Sequence, residues 1–156
     1  MTEDARFEDA APGALALRAL DADDLRVIST LVQDAVFPVA EMTWDSRRRR
    51  RFAVLLNRFR WEEADGRRPP ERVQSLLVID DALKVASQGI DRGAADLVVS
   101  LLALDWRAGA DGTGRITLVL AGDGAVAVDV EALEVTLKDV TQPYRAPSGQ
   151  TPRHPD

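Results

Sequence analysis

The chain has 156 residues, of which 46% are hydrophobic and 29% are charged, and it carries a net charge of −6 with no cysteine. This length and composition suit one soluble globular domain, and they exclude a disordered chain and a bundle of membrane-spanning helices. The absence of cysteine excludes thiol nucleophiles, redox pairs, disulfides and thiolate metal sites. A single histidine, His154, excludes histidine-based triads and multi-histidine metal centres.

The two ends of the chain are expected to be flexible, over residues 1–13 and 146–156, because neither has a hydrophobic period. One globular domain is then expected over residues 14–145. The acidic N-terminal residues lack the basic start and apolar run of an export signal, so we expect a cytoplasmic protein.

The first predicted element is a helix near residues 21–34. Asp21 is a favoured N-cap residue, and further acids follow in the first turn, where the positive end of the helix dipole stabilises them. Leu25, Ile28 and Val32 recur with the spacing of one apolar helix face.

From Val36 onward the hydrophobic period changes to two, which predicts strands. A turn is predicted at residues 45–48, and the run Ala121–Gly124 predicts a tight hairpin because Asp-Gly lies between alternating apolar residues. The strand near 97–106 is apolar on both faces, which favours a central position. The fold class is therefore α+β, mainly antiparallel β, with seven to eight strands in a barrel- or sandwich-like meander and one N-terminal helix.

The apolar positions of these elements predict the hydrophobic core. Each of these side chains is expected to be mostly buried. The predicted set is Leu25, Ile28, Leu31, Val32, Val54, Leu56, Val73, Leu77, Leu101, Leu118, Leu120, Val126 and Val128.

Five consecutive arginines, residues 47–51, are the most unusual feature of the composition, since Trp44 and Phe52 flank them and the rest of the chain is acidic. Arginine interleaved with aromatic residues is typical of surfaces that hold single-stranded nucleic acid. The alternatives are another anionic partner, or a solvated turn whose aromatic neighbours pack in the core. A pI of about 4.8 disfavours general nucleic-acid binding.

Arg58 is the second candidate, because the alternation of Phe52, Val54 and Leu56 predicts that it points inward. An inward guanidinium needs a carboxylate partner. The candidate partners of Arg58 in the sequence are Glu62, Glu71 and Asp105. The arginine then either forms a structural ion pair or clamps a ligand carboxylate or phosphate.

Several short motifs carry a family resemblance. They are Arg51-Phe52-Ala53, Leu56-Asn57-Arg58-Phe59-Arg60-Trp61-Glu62, Glu71-Arg72-Val73, Ser87-Gln88-Gly89-Ile90, Leu101-Leu102-Ala103-Leu104 and Gly122-Asp123-Gly124. Over residues 14–145 the chain thereby resembles a family of uncharacterised bacterial proteins, a domain-of-unknown-function family. The resemblance implies a stand-alone single-domain bacterial protein, and it carries over no catalytic residue.

These features favour a non-enzymatic cytoplasmic binding or scaffold domain that recognises a protein or an anionic ligand. The alternatives are a small hydrolase or isomerase based on carboxylates and arginine, or an RNA-binding module. The candidate ligand-binding residues are Arg48, Arg49, Arg50, Asn57, Arg58, Arg60 and Trp61. No catalytic residue, metal, cofactor or membrane contact is predicted, and homo-association through an edge strand near residues 133–137 is a further expectation.

Overall fold

A computed structural model of the chain describes residues 14–63, 71–91, 93–141 and 144–145. Within them the helix α1 is Ala22–Leu31, and the strands are β1 Ala16–Ala19, β2 Val36–Pro38, β3 Met42–Asp45, β4 Arg51–Phe59, β5 Glu71–Ile79, β6 Ala82–Gln88, β7 Val98–Ala108, β8 Gly114–Leu120, β9 Ala125–Val130, β10 Val135–Asp139 and β11 Tyr144–Arg145. All strand pairs are antiparallel, which confirms the α+β class. The predicted termini 1–13 and 146–156 lie outside the described residues.

The helix begins as its sequence predicts and ends earlier. The side chain of Asp21 accepts a hydrogen bond of 2.8 Å from the Asp24 N–H, and Leu25 and Ile28 are buried. The helix stops at Leu31 rather than at residue 34, since Asp34 adopts a left-handed backbone with φ of 63°. Its N–H donates instead to the carbonyl of Leu101, which directs the chain toward β7.

The strands form one open sheet in the order β1-β10-β5-β4-β2-β7-β8-β9-β6, with β3 and β11 added beside β4 and β5. The described residues therefore contain eleven strands rather than seven to eight, partly because a 3₁₀ turn at Val39–Glu41 splits the run after residue 36 into β2 and β3. The order is not a simple meander, since β6 pairs with β9 and not with β5. The sheet does not close into a barrel.

The predicted edge strand near residues 133–137 is wrong. Residues Val135–Asp139 form β10, which has β1 on one side and β5 on the other. Its inward side chains, including Val135 and Leu137, are fully buried. In contrast, the central position predicted for the strand near 97–106 is confirmed, because β7 lies between β2 and β8.

One hydrophobic core joins the two ends of this sheet. A single cluster contains inward side chains of β4 and β5 together with those of β8 and β9, so the sheet folds over itself and α1 packs on the same core. Of the thirteen predicted core residues, twelve are buried and only Leu31 is half-buried. The alternation of apolar residues was therefore assigned to the correct face of every strand in that set.

Candidate functional site

Arg58 points into the interior, as the alternation along β4 predicts. Phe52, Val54 and Leu56 occupy the preceding inward positions, and the Arg58 side chain is 0% exposed. Burying a guanidinium costs several kcal/mol unless it is paired and hydrogen-bonded. The neighbours of Arg58 therefore decide whether this is a ligand site or a structural one.

Every N–H group of Arg58 has an acceptor within the chain. The Nη1 atom donates to Oε1 of Glu62 at 2.9 Å and to the carbonyl of Phe59 at 3.3 Å. The Nη2 atom donates to Oε2 of Glu62 at 2.8 Å and to both carboxylate oxygens of Asp139 at 3.0 Å. The Nε atom donates to Oγ of Ser75 at 3.0 Å. No donor of Arg58 is left to hold an external carboxylate or phosphate.

Asp139 extends this buried cluster, defined here as Arg58, Glu62, Ser75 and Asp139, to the N-terminal strand. Its carboxylate accepts a 2.6 Å bond from the Ser75 hydroxyl and a 2.9 Å bond from the Leu15 N–H. The cluster thus links β4, β5 and β10 with the residue that precedes β1. This arrangement supports a structural ion-pair network rather than a ligand clamp.

The predicted partners of Arg58 are partly correct. Glu62 is a partner, whereas Glu71 pairs with Arg60 at 2.6 Å and Asp105 is exposed. Asp139, 81 residues away in sequence, was missed. The signal that could have found it is the alternation of β10, where Asp139 occupies the inward position after Val135 and Leu137.

Within the cluster, the contacts of Arg58 and Glu62 favour the ionised form of both side chains. Burial alone would lower the pKa of Arg58, but hydrogen bonding to Glu62 and the charge of Asp139 outweigh it and raise that pKa above its ordinary value. Burial would likewise raise the pKa of Glu62, and the bonds from Arg58 outweigh it and lower that pKa. A carboxylate with a lowered pKa is a poor general acid or base at neutral pH.

The remaining candidates on this end of β4 are also held by the fold. Trp61 donates its indole N–H to the Gln33 carbonyl at 3.0 Å, and its ring lies edge-on to Phe59 with centroids 4.7 Å apart. Arg60 is buried beside Glu71. Asn57 accepts a 3.4 Å bond from Arg72 through its side-chain oxygen.

The other group of candidates lies at the opposite end of β4, in the arginine turn, defined here as residues 46–49 between β3 and β4. The side chain of Asp45 accepts bonds from the N–H groups of Arg47 and Arg48 at 3.2 and 3.1 Å, as is common at turn starts. The turn lies one residue later than predicted. Arg51 and Arg58 are seven residues apart on one strand, or about 23 Å, so the candidates form two separate groups.

The five consecutive arginines are not equivalent. Arg50 pairs with Glu131 at 2.8 Å, and Arg51 pairs with Asp80 at 2.8 Å, so the chain neutralises these two itself. The side chains of Arg47, Arg48 and Arg49 are exposed and have no ion pair within the described part of the chain. Three positive charges therefore face solvent at this turn.

The aromatic residues near the arginines do not form a stacking surface. Phe52 and Phe59 are buried in the core, and Trp61 is anchored as described above. Among the residues that the structure describes, Trp44, which is 41% exposed, is the one aromatic residue accessible close to the arginine turn. Stacking of successive bases requires several accessible rings, so this arrangement disfavours a single-stranded RNA surface.

Sequence patterns did not predict the cleft that opens beside the arginine turn, between β3 and β6. Its volume is about 350 Å³. Its lining includes the buried core residues Phe52 and Val126 as a floor, with Trp44 from β3 and Val85 from β6. We call this cleft the β3–β6 seam; its remaining lining residues are Val39, Ala40, Met42, Thr43, Ser87 and Ala95.

The seam lies where the sheet fails to close. β3 pairs only with β4, and β6 is the terminal strand beyond β9. At one end of the seam, the Ala82 N–H at the start of β6 donates to the carbonyl of Arg50, the residue that precedes β4, at 2.7 Å. Beyond that bond, neither edge has another strand beside it among the described residues.

The chain belongs to the DUF2948 family, described as a protein of unknown function, whose model matches residues 15–154. No curated protein and no solved structure matches the chain. Within the described residues, no helix is both long and apolar enough to span a bilayer. Family membership agrees with the resemblance noted in the sequence, and it assigns no activity.

Proposed function

We propose that this protein is a non-enzymatic binding domain that takes up an extended segment of a partner protein in the β3–β6 seam. The observation that carries the proposal is the seam itself, in which core side chains form the floor between two unpaired strand edges. An extended peptide that adds to a sheet edge gains main-chain hydrogen bonds, and pockets for alternate side chains supply specificity. The apolar floor offers such pockets.

The size of the seam supports this occupant. Protein interiors are close-packed, and voids larger than a water molecule are few. The cleft of about 350 Å³ is lined by the exposed Trp44 and the half-buried Val85, which offer apolar surface that a bound segment would cover. This volume lies near the lower end of the range that is typical of ligand-binding pockets.

The two alternatives have weaker support. A carboxylate- and arginine-based hydrolase or isomerase would require Arg58 to hold a substrate, and all its donors are engaged by Glu62, Asp139, Ser75 and Phe59. An RNA-binding surface would require several accessible aromatic residues beside the arginine turn, where the described part of the chain offers Trp44 alone.

The test uses a displayed library of random nine-residue peptides selected on the purified protein. Ser87 lines the seam, so Ser87→Trp fills it, whereas the adjacent Ala86 is exposed and does not line it, so Ala86→Trp is the matched control. Selected peptides should bind the wild-type protein and the control and lose at least tenfold affinity for Ser87→Trp. Equal binding by Ser87→Trp would contradict the proposal.

Three broader features form part of the same proposal. We place the protein in the cytoplasm on the basis of its acidic, cysteine-free sequence, and we assign residues 14–145 to one domain. Homo-association would use the outer edge of β1, which among the described strands has a neighbour, β10, on one side only. Light scattering that gives 17.0 kDa at all micromolar concentrations would contradict self-association.

A further inference from the structure

The two edges of the seam differ in length, and this sets the direction of a bound segment. β6 has seven residues and β3 has four, so most main-chain hydrogen bonds available to a guest belong to β6. Antiparallel pairing is more stable per residue than parallel pairing, and all strand pairs of this sheet are antiparallel. A guest strand should therefore run antiparallel to β6.

The direction of β6 follows from its contact with Arg50, the residue between the arginine turn and β4. Ala82, the first residue of β6, bonds to Arg50 beside the arginine turn. Ser87, near the other end of β6, lines the seam together with Ala40 and Ala95, whose backbones are joined there by a 3.2 Å hydrogen bond. β6 thus starts at the arginine turn and runs away from it, and an antiparallel guest runs toward the turn.

The arginine turn, toward which the guest strand runs, carries positive charge that the described part of the chain does not neutralise. Arg50 and Arg51 are neutralised by Glu131 and Asp80, whereas Arg47, Arg48 and Arg49 remain exposed and unpaired in the described structure. Guanidinium groups bind carboxylates through short, often bidentate hydrogen bonds. Seven residues of β6 span about 23 Å, so a guest of six or seven residues would bring the groups that follow it to these arginines.

We infer that the seam binds a protein segment that runs antiparallel to β6 and ends in carboxylates, which Arg47, Arg48 and Arg49 hold at the C-terminal end of the segment. This inference rests on the proposed function and specifies its ligand. Asp or Glu side chains and a free chain terminus present the same carboxylate chemistry to arginine, and the experiment separates these two sources.

The experiment compares two displayed libraries of nine-residue peptides. Both contain six random positions, which are followed by Asp-Glu-Asp in one library and preceded by it in the other. We expect at least ten times more binders from the library with the acids last, and individual acids-last peptides should bind at least tenfold more tightly than their rearranged counterparts by fluorescence anisotropy. Amidated and free-acid forms of the same peptide then separate side-chain carboxylates from a terminal one.

The control variant changes Arg47, Arg48 and Arg49 together to Ser. Because these side chains are exposed and have no ion pair, the variant should keep the wild-type thermal unfolding temperature. It should lose the preference for acids-last peptides, and binding to the wild-type protein should weaken steeply with added salt.

Each other outcome overturns a defined part of the argument. Equal enrichment of the two libraries overturns the direction and leaves the proposed function in place. An unchanged preference for acids-last peptides in the variant that lacks Arg47, Arg48 and Arg49 overturns the role of the three arginines. No binding from any library overturns both proposals, and so does arginine-dependent binding of a single-stranded oligouridine when neither peptide library binds.

Discussion

Removal of the Asp139 carboxylate should be among the most damaging single changes in this protein. The Asp139 side chain is 1% exposed and accepts bonds from Arg58, from the Ser75 hydroxyl at 2.6 Å and from the Leu15 N–H at 2.9 Å. In Asp139→Asn the shape is kept, but the negative charge is lost and an amide N–H₂ group replaces one acceptor. Arg58 then remains buried with Glu62 as its only carboxylate.

The expected loss follows from the burial of the pair. Breaking a buried ion pair by removing one partner typically costs about 3–5 kcal/mol. Because Glu62 still holds two N–H groups of Arg58, we expect about 3 kcal/mol, near the lower end of that range. Domains of this kind have a total stability of about 5–15 kcal/mol, so such a loss would shift the urea midpoint markedly.

The assay is urea unfolding followed by far-UV circular dichroism at neutral pH. Glu134→Gln is the matched control, since it breaks the ion pair of Glu134 with the half-exposed Arg18 and should cost less than about 1 kcal/mol. The double variant Arg58→Met/Asp139→Leu should be less unstable than the sum of its single variants, because the fully buried pair is removed together, and Glu62, which loses Arg58, is 20% exposed and keeps Arg60 at 3.8 Å. A loss below about 1 kcal/mol for Asp139→Asn would refute the structural role assigned to the cluster.

Three further predictions concern stability. The pKa of Glu62 is lowered in the folded state, so its carboxylate stabilises the fold fully above the unfolded pKa of about 4.3, and this stabilisation is lost as pH falls through the folded pKa. In Glu62→Gln the urea midpoint should therefore fall less between pH 5 and pH 3 than in the wild-type protein, and an equal fall would contradict this. Gly114→Ala should lower the stability of the protein by about 1–3 kcal/mol, because the added Cβ would overlap the Trp106 ring. Gly124→Ala should cost less, because the atoms nearest to its added Cβ would lie 3.5 Å away, and thermal unfolding compares the two variants. Asp21→Ala should lower the free energy of unfolding by about 1 kcal/mol through loss of the helix cap. Asp23→Ala removes an exposed ion pair with Arg26, so its free energy of unfolding in urea should differ from the wild-type value by no more than about 0.5 kcal/mol.

The local pattern of the sequence was sufficient to predict features that depend on neighbouring residues. The hairpin between β8 and β9 turns at Ala121–Gly124, as predicted, although the two residues with positive φ are Gly122 and Asp123 rather than the Asp123-Gly124 pair. The cap at Asp21 and the inward direction of Arg58 were predictable for the same reason. A strand has a side-chain period of two and a helix start needs an acceptor, and both properties are encoded within a few residues.

Tertiary structure decided which strands meet. β10 lies between β1 and β5, and β6 pairs with β9, although these partners are far apart in the chain. Such pairings depend on which arrangement buries all apolar faces in one core, and no local pattern contains that information. The same global packing placed Asp139 beside Arg58, separated the arginine turn from the buried cluster by the length of β4, and left the seam open between β3 and β6.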